Sequence, residues 1–261
     1  MKRTYVKLLT VAGLTGCFLF TSCRSAQETT VRYEISKVEG NMITIDSTWD
    51  ANPDKKATTV LKPYKDKVDA MMYEVIGTSE MKMDKGTPES LLSNLVASVL
   101  QEAAAQVLGK PADMGLVNMG GLRNILPKGD ITVGAVFEIL PFENSLCVLT
   151  MKGTDMKRLF KAIASLHGEG VSGIRLEINK KGELLNATIG GKPVVDDQLY
   201  TVATIDYLAD GNGRMDAFLQ AEKRECPEDA TLRGLFLDYV RKQTAEGKII
   251  TSKLDGRITV K

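Results

Sequence analysis

A single histidine, His167, is the whole imidazole complement of the chain. It lies in the polar stretch Leu166-His167-Gly168-Glu169-Gly170. A two-metal hydrolase gathers several His and Asp ligands, and a serine or cysteine hydrolase holds a histidine base beside its nucleophile. One histidine supplies neither arrangement, and no serine or cysteine stands in a nucleophile-elbow pattern. The 33 acidic residues show no spacing that singles out a pair for acid–base work. No residue of this chain is therefore expected to be catalytic or to ligate a metal, and His167 reads as an exposed loop residue.

Binding is better served. Asn118-Met119-Gly120-Gly121-Leu122-Arg123 follows a short apolar run, Gly115 to Val117, that reads as a strand. Paired glycines let backbone amides approach a ligand closely, and an arginine just beyond them can fork onto an anion or a hydroxyl-rich sugar. A structural turn followed by a surface arginine has the same pattern. Pro141-Phe142 ends an apolar run from Thr132, at what reads as a strand's edge. Tyr207 follows the strand pattern Tyr200 to Ile205 and precedes the glycine-bearing loop Asp210 to Arg214. Both rings stand where they can leave a core and face a cleft.

The elements that must hold these residues are legible from periodicity. Helical spacing of apolar residues covers Lys65 to Ile76, Thr87 to about Leu108, Asp155 to Leu166 and Leu232 to Thr244. Alternation predicts strands over Leu146 to Thr150, Ile174 to Ile178, Leu185 to Ile189, Tyr200 to Ile205 and Ile258 to Val260. Near the start, Val31, Tyr33 and Ile35, a Glu39-Gly40-Asn41 turn, then Ile43 and Ile45 predict a β-hairpin, with a polar loop from Ser47 to Thr59 around Pro53. The order of elements predicts an α+β fold, a mixed sheet with packed helices.

The chain has 261 residues, 43% apolar and 26% charged, with a net charge of +1. That balance belongs to a globular protein and gives no reason to expect a nucleic-acid partner. Lys2, Arg3 and Lys7 precede an apolar run from Leu8 to Phe20, which ends in Thr21-Ser22-Cys23. A small residue before a cysteine at such a point resembles the bacterial lipobox, where cleavage leaves Cys23 as an acylated N-terminus anchored in a membrane. The expected organisation is a lipoprotein signal over 1–22, a tether over 23–30, the hairpin and loop over 31–60 and one domain over 61–261. Cys147 and Cys226 remain in the mature chain. An exported setting permits a bridge between them, but the apolar neighbours of Cys147 favour a buried, unpaired thiol.

From Val68 to Phe218 the chain resembles the C-terminal domain of the 5'-nucleotidase / UDP-sugar hydrolase family. The matching blocks come in order. They are Pro88-Glu89-Ser90 with Ser93-Asn94-Leu95, Val117 to Arg123 with Leu126 to Thr132, Leu140 to Asn144, Met151-Lys152-Gly153, Val171 to Arg175, and Tyr200 to Ala209. The resemblance implies a domain that holds the nucleoside while a separate metallophosphatase domain, carrying two divalent metals, cleaves the phosphate. It implies sugar contacts from Asn118 and Arg123 around Gly120 and Gly121, a base sandwiched by Phe142 and Tyr207, and a hydrogen bond to the base from Asn144. Offset stacking on a ring contributes about 1 to 3 kcal/mol per base and tolerates different bases.

The departures from the family pattern are specific. The sugar-binding Asp of the family's Gly-Gly-Asp-Gly loop falls on Gly213, or on Asn212 with one shift, with Asp210 nearby as a substitute. Upstream, where basic ligands are usual, stand Lys82 and Lys85. The metallophosphatase ligands have no counterpart in the sequence. It is thus expected to carry no cofactor itself and to act with a separate metallophosphatase polypeptide. The alternative is a non-catalytic envelope lipoprotein that binds a ligand or a protein.

Overall fold

The computed structural model describes residues 33–261; the signal segment, Cys23 and the tether lie outside them. Two units are distinguished, one ending at Pro53 and one spanning Asp54–Lys261. In the first, residues 33–45 carry no strand. Tyr33, Ile35, Ile43 and Ile45 are all exposed, so the alternation that predicts a hairpin is not realised as one. A lone two-stranded hairpin is marginal in water without a third strand or a helix to cover it. The polar stretch that follows forms a 3-10 turn, Ser47–Ala51, capped by the Asp46 carboxylate, which accepts the Thr48 N–H.

The second unit opens with α1, Lys55–Met72, ten residues earlier than its apolar spacing suggests. Asp54 caps it by accepting the Ala57 N–H at 2.8 Å. Pro63 lies inside the helix. The carbonyl it leaves without a helical donor is in an exposed turn, where water can bond it. No residue of α1 is buried.

The remaining elements are β1 (Val75–Ser79), α2 (Leu91–Ala103), α3 (Ala105–Leu108), β2 (Met114–Val117), β3 (Gly129–Thr132), α4 (Val133–Ile139), β4 (Leu146–Lys152), α5 (Gly153–Ser165), β5 (Gly170–Ser172), β6 (Ile174–Ile178), β7 (Leu184–Ile189), β8 (Lys192–Pro193), β9 (Leu199–Ile205), α6 (Asp206–Ala209), β10 (Lys223–Glu225), α7 (Leu232–Ala245) and β11 (Ile258–Val260). They form an α+β domain with three sheets, ordered β10-β4-β9-β2-β5, β11-β6-β7-β8 and β1-β3. The first two are mixed, since β2 runs parallel to β9 and β11 parallel to β6.

Three local differences from the sequence reading have physical causes. The Thr132 to Ile139 run is helix α4, not an extended approach to Phe142. Thr132 caps it by accepting the Ala135 N–H at 3.1 Å, and Val133, Val136 and Ile139 bury one face at helical spacing. The helix expected from Thr87 begins after Ser90, whose hydroxyl caps it, and is interrupted at Ala104. Strands β1 and β3 pair only with each other in a two-stranded sheet; the first helix ends at Met72, so Val75 and Ile76, which continue its apolar spacing, lie in β1 instead.

The core forms around the five-stranded sheet. All four residues of β2 are buried, and α2 packs across β2 and β5. A Cβ on Gly115 would lie 2.3 Å from the Ala97 carbonyl oxygen, so that glycine is what lets helix and sheet approach. The register then fixes one end of the sheet as a meeting point. β2 and β9 run parallel and both finish there, and β4, antiparallel to β9 with Leu146 opposite Ile205, begins there. The segments after β2, before β4 and after β9 must therefore emerge side by side.

Candidate ligand-binding cleft

Those three segments carry the glycine motif, Phe142 with Asn144, and Tyr207. Asn118, Gly120, Gly121, Phe142, Asn144 and Tyr207 line one cleft of about 330 Å³. Phe142 and Tyr207 are 48% and 44% exposed. Two large rings left half in water at the mouth of one concavity are not core residues. Apolar area of that kind is what a planar ligand can cover.

The floor of the cleft is the turn after β2. Asn118 leaves the strand in extended conformation and a 3-10 turn, Met119–Gly121, follows. Its amide side chain folds back over the turn. A Cβ on Gly121 would lie 3.0 Å from Asn118 Oδ1, and one on Gly120 3.4 Å from its Nδ2, so the glycines make room for that amide. Asn118 Oδ1 is buried with no hydrogen-bond partner. An orphaned buried acceptor is uncommon and costs about 1 to 3 kcal/mol unless a donor reaches it.

Charged side chains clamp the turn from both sides. The Lys85 ammonium donates to the Leu122 carbonyl at 2.5 Å and reaches the Met119 carbonyl at 3.4 Å. Glu169 accepts the Met119 N–H. Burial pushes the Glu169 carboxyl above the usual carboxylate range, and that backbone hydrogen bond opposes the shift. Lys85 is thus engaged with backbone carbonyls of the turn.

Three sequence-predicted residues stand apart from the lining. Arg123 is exposed, with its backbone N–H on the Ile139 carbonyl at 2.9 Å and Nη1 on the Gly120 carbonyl at 3.3 Å. It touches the cleft only through the Gly120 carbonyl, a residue of the lining. Asp210 is not in the cleft because Arg224 engages its carboxylate at 2.6 Å on the surface. Asn212 is exposed on a loop that turns through Gly211 and Gly213, with φ of 82° and 65°, and its carbonyl accepts the Met215 N–H. The loop that resembles the family's sugar-binding glycine loop therefore contributes no lining side chain.

One structural feature near the cleft was not visible in the sequence. Arg233, in the first turn of α7, is 7% exposed and donates to the Leu140 carbonyl and to Glu143. A basic residue in an amphipathic helix normally reads as surface. Cys147 in β4 and Cys226 just after β10 form a disulfide across 79 residues, which corrects the reading of Cys147 as an unpaired thiol: the pairing of β10 with β4 brings a distant cysteine beside it. His167 is exposed, with φ of 59°. Among the described residues no three His, Cys, Asp or Glu side chains gather as a metal site.

Fold and cleft together define an α+β domain with an open, two-ringed cleft at one end of a mixed sheet. The family described as "5'-nucleotidase, C-terminal domain" matches residues 75–220, and the chain belongs to it. The chain is 27% identical over 238 residues to the trifunctional nucleotide phosphoesterase protein YfkN of Bacillus subtilis, covering 84% of this chain and 16% of that one. It is 27% identical over 240 residues to the cell wall protein Lmo0130 of Listeria monocytogenes, covering 81% of this chain and 30% of that one. The solved 5'-nucleotidase precursor from Thermus thermophilus superposes with a TM-score of 0.67 at 26% identity, covering 81% of this chain and 44% of that chain. The chain thus spans less than half the length of each of these relatives.

Proposed function

We propose that this domain holds the nucleoside part of a nucleotide for a 5'-nucleotidase-type hydrolase system, with Phe142 and Tyr207 stacking on the base. Asn118, Asn144 and the Gly120-Gly121 turn face the polar edge of the ligand, and Arg123 meets its sugar or phosphate at the rim. The observation that carries this reading is the convergence of two half-exposed rings with Asn118, Asn144 and the glycine turn in one cleft. A ligand with a flat face and a polar edge answers both, covering the rings and meeting the polar groups between them.

The phosphoryl chemistry of such a system would come from a metallophosphatase unit outside the described residues, which we read as a second envelope polypeptide. A location beyond the cytoplasm is supported by the leader pattern ending at Cys23 and by the likeness to a cell wall protein. Replacing Cys23 by serine is expected to move the protein from the membrane to the soluble fraction; continued membrane attachment would exclude this anchor.

Equilibrium dialysis with adenosine, paired with a phosphate-release assay on AMP in manganese, tests the functional reading. Saturable adenosine binding without phosphate release by the purified mature chain is expected. No binding at millimolar adenosine would remove the nucleoside reading, and metal-dependent hydrolysis by the clean chain would remove the division of labour.

A further inference from the structure

Phe142 lies between α4 and β4 in a segment, 140–144, that is neither helix nor strand. The bonds on either side of it come from the start of α7. The Leu232 N–H donates to the Asn144 carbonyl at 2.8 Å. Arg233 Nη1 donates to the Leu140 carbonyl at 3.1 Å, and Nη2 pairs with the Glu143 carboxylate. The guanidinium carbon lies 4.1 Å from the centroid of the Phe137 ring, on the last turn of α4. Arg233 is itself fixed, because Thr231 caps α7 by accepting the Gly234 N–H at 3.1 Å.

A guanidinium stays charged at any working pH and has a rigid, planar fork of donors. Buried almost completely, it must find acceptors. Those it uses lie two residues before Phe142 and one after it. Its flat face covers Phe137, so the fork cannot rotate freely. Lysine could reach one acceptor but could not span both while stacking on the ring.

We propose that Arg233 is the positioning residue for Phe142, holding the 140–143 backbone so that the Phe142 ring projects into the cleft instead of collapsing onto the surface. This rests on the nucleoside reading for its consequence but not for its geometry. Arg233 lines no part of the cleft, so it acts on a ligand only through the segment it grips.

The test is a double-substitution cycle in the full mature chain, with adenosine as probe and calorimetry as readout. Arg233→Met keeps the buried apolar stem and removes the fork. It is expected to weaken adenosine binding at least fivefold, with the affinity not restored by Arg233→Lys. In a Phe142→Ala background the same change is expected to add less than twofold, because the ring it positions is gone. Equal losses in both backgrounds would overturn the proposal, since a general structural defect would not depend on Phe142.

Should Arg233→Met fail to fold, Glu143→Gln removes the exposed partner of the pair and is expected to weaken binding in the same Phe142-dependent manner. Amide exchange in the ligand-free chain separates the two readings. Faster exchange at 142–144 in Arg233→Met, with β9 and Tyr207 unchanged, upholds the grip even if wild type binds no adenosine. Unchanged exchange there overturns it whatever the binding result.

Discussion

The two walls of the cleft present rings of nearly equal exposure, yet they are held by different means. On the Phe142 side a buried arginine grips an irregular segment from the inside, through a carbonyl, a carboxylate and an aromatic face. On the Tyr207 side the ring stands on the four-residue helix α6, directly continuous with β9. The following loop is tied at the surface by Arg224, which pairs with Asp210 and lies within 3.7 Å of both sulfurs of the Cys147–Cys226 disulfide. One wall depends on a desolvated charge, where loss of a partner is costly. The other depends on backbone continuity with a sheet, a covalent staple and an exposed ion pair of small worth. The lesson is that comparable ring presentation does not imply comparable robustness.

Substitutions break this comparison in a definite order. Replacing both Cys147 and Cys226 by alanine is expected to cost the whole domain about 2 to 4 kcal/mol in denaturant unfolding, because the staple closes a long loop. An unchanged midpoint would mean that β10 and its bridge contribute nothing to the cooperative unit. Arg233→Ala is expected to follow at about 2 to 3 kcal/mol, through lost hydrogen bonds and a void beside Phe137. Asp210→Asn, across the cleft, is expected to cost no more than about 1 kcal/mol, since its pair with Arg224 is exposed. A loss at Asp210 equal to that at Arg233 would erase the distinction between the walls.

Legibility in the sequence followed the same physical line. Elements with a strong one-sided period were readable: Ile174–Ile178 alternates cleanly, and Leu232–Ala245 presents an apolar face to the core. The lining residues Asn118, Phe142, Asn144 and Tyr207 were reachable through motif resemblance and through their positions beside strand patterns. What escaped depends on partners distant in sequence. Strands β1 and β3 lie far apart in the sequence, Val75 pairing with Thr132 and Ser79 with Gly129. Arg233 is buried only because Leu140 and Glu143, about 90 residues earlier, are brought to it. The hairpin expected over Val31 to Ile45 shows the opposite case within the described residues, 33–45, which carry no strand. Its alternation is real, but residues 33–45 have no third strand to turn a period into pairing. Proximity in sequence to the glycine loop says nothing about Arg224, which the Asp210 carboxylate meets at the surface.

On the nucleoside reading, Phe142 and Tyr207 work as one clamp on a flat ligand. Calorimetric titration of adenosine into the wild type, Phe142→Ala, Tyr207→Ala and a control, Leu185→Ala on exposed β7, tests it most directly. Measurable binding by wild type and control is expected, with a loss of roughly fivefold to over a hundredfold on removing either ring, as stacking of about 1 to 3 kcal/mol requires. Wild-type affinity retained in both ring variants, or equal weakening in the Leu185 control, would contradict it.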